Sequence, residues 1–344
     1  FRHRSQATWP GSPGCGEAIM NSILLFILQN VPAELRGLFP EVLLATSILL
    51  ACVLEWTTDT QSKRLVVWFA AISAAAAFTL TVVTGVPSAA AGLAFTPDVL
   101  SHFVRLAVLG ATVFALLAIN GSKALDGRAE QGEAAILMLS VALGAMLFAS
   151  ASHLMAIYLG LEFLSLSSYG LAGFRAHDAK ASEAGLKYVL YGGVASAVAL
   201  FGISHLWGMT GTFDIHEIGI ALSTHSDKLA LVPLILLGAA FAYKLGLVPF
   251  HFWSPDVYQG CPTVSAGYLS TVPKIAAFTA LLKALMALLP WWGTVVSPQT
   301  VSVFLALFAS LSILVGAVIF AVFYHVPKDV LAVESRHENP MTAS

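Results

Sequence analysis

Charge is what this sequence has least of. Only 10% of its 344 residues are Asp, Glu, Lys or Arg, against roughly 25% in an average soluble domain. A soluble protein of this size could not cover its surface with so few charges, which excludes a cytosolic enzyme, a disordered chain and a nucleic-acid binder. The formal net charge of -2 points to no charged partner. Cysteine is scarce as well. Cys15, Cys52 and Cys261 are scattered, with no C-x-x-C and no ligand-like spacing, so neither a disulfide frame nor a metal site is implied. Period-two alternation over ~10 residues is missing too, which excludes transmembrane barrel strands. What is present is apolar: 58% hydrophobic residues and a mean hydropathy of +0.82. The fold class is therefore all-α, a polytopic transmembrane helix bundle whose first partner is lipid.

Runs of about 18 or more apolar residues read as spanning helices, because ~20 residues at 1.5 Å rise cross the hydrocarbon. About nine are expected, at 38–56, 65–86, 102–119, 134–150, 154–173, 184–208, 229–250, 264–289 and 301–324. A polar and interfacial segment, 1–37, precedes them. It contains Met20 as a plausible start and the short apolar stretch Ile23–Leu28, and a polar tail occupies 325–344. Lys and Arg sort the loops. Lys63 and Arg64, Lys123 and Arg128, and Arg175 and Lys180 fall in every second connection, which places 57–64, 120–133 and 174–183 in the cytoplasm. Arg36 dissents from this alternation.

Four ionisable residues lie where lipid should exclude them. A charge at mid-helix costs about 2.5–3.5 kcal/mol or more, so each asks for a reason. Glu162 lies within AIYLGLEFLSLSSYGLAG, Lys244 within LALVPLILLGAAFAYKLGLVPF, and Lys274 about ten residues into its span. Lys187 begins AGLKYVLYGGVASAVALFG, near enough to the inner edge to snorkel. Arg105 and Lys283, near helix ends, read as snorkelling residues, and His205 and His251 as satisfied polar groups. For Glu162, Lys244 and Lys274 a structural ion pair is the plain alternative. An acid and several bases at similar depth fit a proton or ion path better, with Glu162 and Lys244 as a pair and Lys274 as the next station.

A helix break is expected beside Lys244. Pro249 lacks an N–H and clashes with the carbonyl four residues back, and Gly246 loosens the same turn. Broken helices at membrane depth are tolerated where they line a cavity, with the freed backbone groups holding water or ions.

Three stretches then carry a family resemblance: ASHLMAIYLGLEFLSLSSYGLAGF, EAGLKYVLYGGVASAVALFGISHLWGMTG and FAYKLGLVPFHFWSPDVYQGCPTVSAGYLSTVPKIAAF. They resemble the subunit N family of bacterial proton-pumping NADH:quinone oxidoreductase, respiratory complex I, over roughly residues 38–320. The resemblance implies a bacterial inner-membrane subunit carrying part of a proton path, in a translocase whose NADH, FMN, iron–sulfur clusters and quinone are bound by other subunits. It implies no cofactor in this chain, and as partners the antiporter-like subunit M and small subunits of the K and J type. It assigns Glu162 to the fifth helix, Lys244 to the broken seventh, Lys274 to the eighth and Lys187 to the sixth.

The family has about fourteen helices, with two inverted five-helix repeats. On that pattern 38–133 holds the first three helices, 134–289 the first repeat with its broken helix near 244–260, and 290–324 one last span. The second repeat is missing, so the chain reads as truncated at its C-terminus. Two alternatives stay open. One is a cation/proton antiporter or membrane-bound hydrogenase subunit of the same superfamily, and the other is a truncated remnant that transports nothing.

Overall fold

A computed structural model describes residues 37–58, 64–86, 94–96, 98–119, 128–175, 177–225, 228–295 and 298–325. Met20, the 23–28 stretch, Arg36, Lys63, Lys123, Cys15 and the tail beyond 325 lie outside the described residues. The described helices are α1 (Phe39–Thr57), α2 (Arg64–Thr84), α3 (Val99–Ile119), α4 (Arg128–Ser150), α5 (Leu154–Gly173) and α6 (Ala179–Thr210), followed by α7 (Ile215–His225), α8 (Leu231–Leu245), α9 (Trp253–Gly260), α10 (Thr263–Ala287), α11 (Leu289–Val295) and α12 (Pro298–His325). Nine of the described helices are long and apolar enough to cross a membrane, the number expected from the apolar runs. The chain is a multi-pass membrane protein.

Helix α4 forms the centre of the bundle. Its spanning window is 72% buried, and it packs against α1, α2, α3, α5 and α10. Apolar burial gives little net drive between helices in lipid, so close backbone approach and interhelical hydrogen bonds do more of the holding. Both are present. A Cβ on Gly144 of α4 would lie 2.7 Å from the Leu164 backbone, and one on Gly160 of α5 would lie 2.8 Å from the Phe148 backbone, so the two helices touch only because both positions are glycine. Tyr268 of α10 donates its hydroxyl to the Met138 carbonyl of α4 at 2.9 Å and shares a 2.7 Å bond with Thr112 of α3.

Three short helices were not among the expected spans. Helix α7 lies in the 209–228 connection, α9 follows the break, and α11 caps the end of α10. Phe95 pairs with Ala151 and His153 with Asp214 as isolated antiparallel bridges between connections. The span expected at 229–250 ends sooner, at Leu245. Leu247–Phe250 prolong the hydropathy, but Gly246 adopts φ 72° and caps the helix. Its N–H bonds to the Tyr243 carbonyl at 3.0 Å and the Leu247 N–H to the Ala242 carbonyl at 2.9 Å, a glycine C-cap of the Schellman type. Pro249 sits beyond the end of the helix, in the turn that leads to α9.

Helix α12 differs from the rest. None of its spanning window is buried. Ser312 Oγ accepts the Val248 N–H at 3.2 Å, which ties the helix to the turn after the break.

Candidate functional site

The site grows from a polar stripe on α5. Tyr158, Glu162, Ser165 and Tyr169 are spaced four, three and four residues apart, so they share one face of the helix. Across from it, α6 offers Tyr188, Gly192 and Ser196 at four-residue spacing. The end of α8 closes the space with Tyr243 and Lys244.

Lys244 is 1% exposed. Its ammonium donates to Ser165 Oγ at 2.9 Å. The Tyr169 and Tyr188 ring centroids lie 6.0 and 5.8 Å from Nζ, at the outer limit of a cation–π contact. Glu162, half-buried, takes a different partner. Its carboxylate accepts the Ser196 hydroxyl, which also lies 3.3 Å from the Tyr158 hydroxyl. Glu162 and Lys244 are therefore near neighbours that do not meet as a contact ion pair. In this structure each member of the pair expected from the sequence bonds a serine hydroxyl instead of the other.

The other two lysines stand around the break. Lys274, half-buried on α10 next to the in-helix Pro273, brings Nζ to 3.5 Å from where a Cβ on Gly246 would be. Its Nζ lies 5.6 Å from the centroid of Tyr258, on α9. Pro273, inside the same helix, has no N–H to offer the carbonyl of Leu269, one turn before it. Lys187 is more than a third exposed and bonds two carboxylates, Asp256 of α9 at 2.6 Å and Glu183 of its own helix at 2.7 Å. It lies eight residues into α6, about 12 Å from the helix start. The break thus has Lys244 just before it, Lys274 beside its Gly246 cap, and Lys187 pinning the half-helix that follows.

The freed backbone groups of the break were expected to hold water or ions. The protein takes two of them itself. The Tyr243 carbonyl accepts Trp253 Nε1–H at 3.1 Å as well as the Gly246 N–H, and Leu247 takes the Ala242 carbonyl. Trp253 in turn stacks on Tyr188, with centroids 4.5 Å apart. The stack and the hydrogen bond fix α9 against α6 and α8.

Two residues read from sequence as snorkelling do not snorkel. Arg105 is 1% exposed and forms an ion pair with Glu41 of α1, itself 4% exposed. Lys283 reaches Asp98 at 3.6 Å and the Ala149 carbonyl at 3.2 Å, with its side chain 14% exposed. Arg105 turns inward to a buried carboxylate, whereas Lys283 turns to the Ala149 carbonyl and to Asp98, whose side chain is 43% exposed. His205 is a satisfied polar residue, its Nδ1 3.0 Å from the Phe201 carbonyl and its ring against Phe201. His251 packs on Phe252 at 4.7 Å.

Sequence reasoning missed Ser165, Ser196, Tyr158, Asp256, Glu183, Glu41 and Asp98. The polar stripe on α5 and the Glu183–Lys187 spacing of four were signals in reach. Asp256 lies 69 residues from Lys187, and nothing in the spacing joins them.

Comparison with known proteins follows the same helices. The family described as "NADH:quinone oxidoreductase/Mrp antiporter, TM" matches residues 151–333. NADH-quinone oxidoreductase subunit N of Geobacillus sp. (strain WCH70) is 35% identical over 250 residues, 70% of this chain and 50% of that protein. The subunit N of Acidithiobacillus ferrooxidans is 35% identical over 271 residues, 78% of this chain and 54% of the other. Among solved structures, a chain of respiratory complex I from Thermus thermophilus superposes with a TM-score of 0.65 at 30% identity, covering 82% of this chain and 58% of its own. The chain thus spans about half the length of the curated relatives it matches. With its helices, its broken α8–α9 unit and these matches in agreement, this chain belongs to the NADH:quinone oxidoreductase/Mrp antiporter transmembrane family.

Proposed function

We propose that this chain serves as subunit N in the membrane arm of an NADH:quinone oxidoreductase and carries part of its proton path. The observation that supports this most is Lys244: a fully buried ammonium whose nearby carboxylate, Glu162, is held off it by separate hydroxyl partners. A charge locked in a contact pair is fixed, whereas one with a neutral partner and a near carboxylate can lose and regain its proton as the geometry shifts. Lys274 beside the Gly246 cap is the next station, and Lys187 with Asp256 holds the half-helix that frames both. In this reading the protein lies in a bacterial inner membrane beside subunit M and small subunits of the K and J type. NADH, FMN, iron–sulfur clusters and quinone stay with other subunits, and this chain's residues only accept, hold and pass protons. The family description also covers Mrp antiporters, but the 35% identity to two subunits N favours the oxidoreductase.

The test is NADH-driven proton uptake by inverted membrane vesicles containing the assembled complex. Lys244→Ala and Glu162→Gln are each expected to lower the uptake rate by roughly a hundredfold or more, the order of a lost proton-transfer group. Wild-type uptake in both variants would overturn the reading.

A further inference from the structure

Two small voids adjoin each other between α5, α6 and α8, both touching Leu161 and Ala240. One is lined by Tyr158 and apolar side chains such as Ile157, Leu237 and Phe241. The other has room for about one water and is lined by Ser165, Tyr169, Gly192, Ser196, Tyr243 and Lys244. A buried water needs two to four polar partners, and only the second void offers them in number. That void also touches both ends of the interrupted pair. Ser165 is the hydroxyl that Lys244 bonds, and Ser196 is the one that bonds Glu162.

We propose that Ser165, one water in this void and Ser196 form the relay that carries a proton between Lys244 and Glu162. The proposal rests on the proton-path reading above and adds the groups that close its gap.

The three serines of α5 sort themselves. Ser167 and Ser168 turn their hydroxyls back onto their own helix, donating to the Phe163 carbonyl at 2.9 Å and the Leu164 carbonyl at 2.6 Å, the usual fate of serine in a helix. Ser165 instead faces the lysine of another helix. Gly192 leaves room for the Tyr169 hydroxyl beside the void, because a Cβ there would collide with it.

The transfer balances as a chain of proton exchanges. An N–H bond of the Lys244 ammonium breaks as Ser165 Oγ gains that proton. Ser165 gives up its own proton to the water, the water gives one to Ser196 Oγ, and the old Ser196 proton forms the O–H bond on Glu162. The chain begins as ammonium and carboxylate and ends as amine and carboxylic acid, and no electrons change hands. Run backwards, the same steps reload Lys244.

The experiment uses the assembled complex in inverted vesicles, with complex content measured for every variant. Ser165→Ala and Ser196→Ala are each expected to lower NADH-driven proton uptake by roughly a hundredfold, the order of a lost proton-transfer group. Ser165→Thr and Ser196→Thr keep a hydroxyl and are expected to restore uptake, while Ser167→Ala is expected to leave it unchanged. The solvent deuterium isotope effect on uptake is expected to rise in the alanine variants, because the broken chain makes proton transfer slower than the other steps. If the double variant Ser165→Ala/Ser196→Ala pumps at the wild-type rate while Lys244→Ala does not, the relay is wrong and the proton-path reading stands. If the threonine variants lose as much uptake as the alanine ones, the serines serve packing and the relay is wrong. If Lys244→Ala itself pumps normally, both readings fall.

Discussion

Among the described residues, two clusters of charge inside the bundle are treated oppositely. At the ends of α1, α3 and α10, Arg105 is ion-paired with Glu41 and Lys283 with Asp98. Between α5, α6 and α8, Lys244 and Glu162 are kept apart, each on a serine hydroxyl. Direct pairing cancels charge and joins helices, so the first cluster is a fastening. Separation leaves each charge with a neutral partner and an unspent opposite charge nearby, which is the arrangement the proposed proton path requires. An ionisable residue in a membrane helix is by default a functional candidate. In this fold its partner decides between the two roles.

Breaking the fastening is the sharpest test of this contrast outside the central site. Arg105→Met strands a buried carboxylate on Glu41, and loss of one partner of a buried pair costs about 3–5 kcal/mol. The expected outcome is a large fall in the thermal inactivation midpoint of the purified complex. The double variant Glu41→Leu/Arg105→Met removes both charges and is expected to recover most of that loss. A double variant as unstable as the single one would contradict a simple fastening.

Asp256→Asn should do less. Lys187 is more than a third exposed and keeps Glu183 at 2.7 Å, and exposed ion pairs contribute little to stability. Thermal stability is expected to change little, and Glu183→Gln/Asp256→Asn together more than either alone. Limited proteolysis of the 246–262 segment would report the loosening of α9, and no difference in the double variant would argue against a pin.

The smallest effect concerns acid. Burial pushes the Asp98 carboxyl up, but the hydrogen bonds with Ser101 and the Lys283 charge outweigh it and hold the group below its ordinary value of 3.8. A depressed carboxyl adds stability that is complete above its unfolded value and is lost as pH falls through its folded one. The Asp98–Lys283 contact is therefore expected to survive mild acid and to fail only below about pH 4. Comparing the thermal midpoint of Asp98→Asn with the parent across pH checks this: the gap should close below that range.

Much of the bundle was legible in the sequence because a spanning helix is a long apolar run, and length and hydropathy are local properties. The break beside Lys244 was legible from Gly246 and Pro249, but its geometry was not: Gly246 caps α8 in a left-handed conformation, and Pro249 lies beyond the end of the helix. The short helices α7, α9 and α11 have too few apolar residues in a row to register. In the site, Glu162, Lys187, Lys244 and Lys274 stood out by being charged in lipid. Their partners did not, since which helices lie side by side is a tertiary fact. Arg105 and Lys283 were misread for that reason: a helix-end position suggests an exit to water, but Glu41 and Asp98 approach from other segments.

The most direct test compares the two clusters in one assay, the number of protons moved per electron from NADH in vesicles containing the assembled complex. Lys244→Ala is expected to lower this ratio, whereas Glu41→Leu/Arg105→Met, once assembled, is expected to keep the parent value. A normal ratio in Lys244→Ala, or an equal fall in both variants, would contradict the contrast between the two clusters.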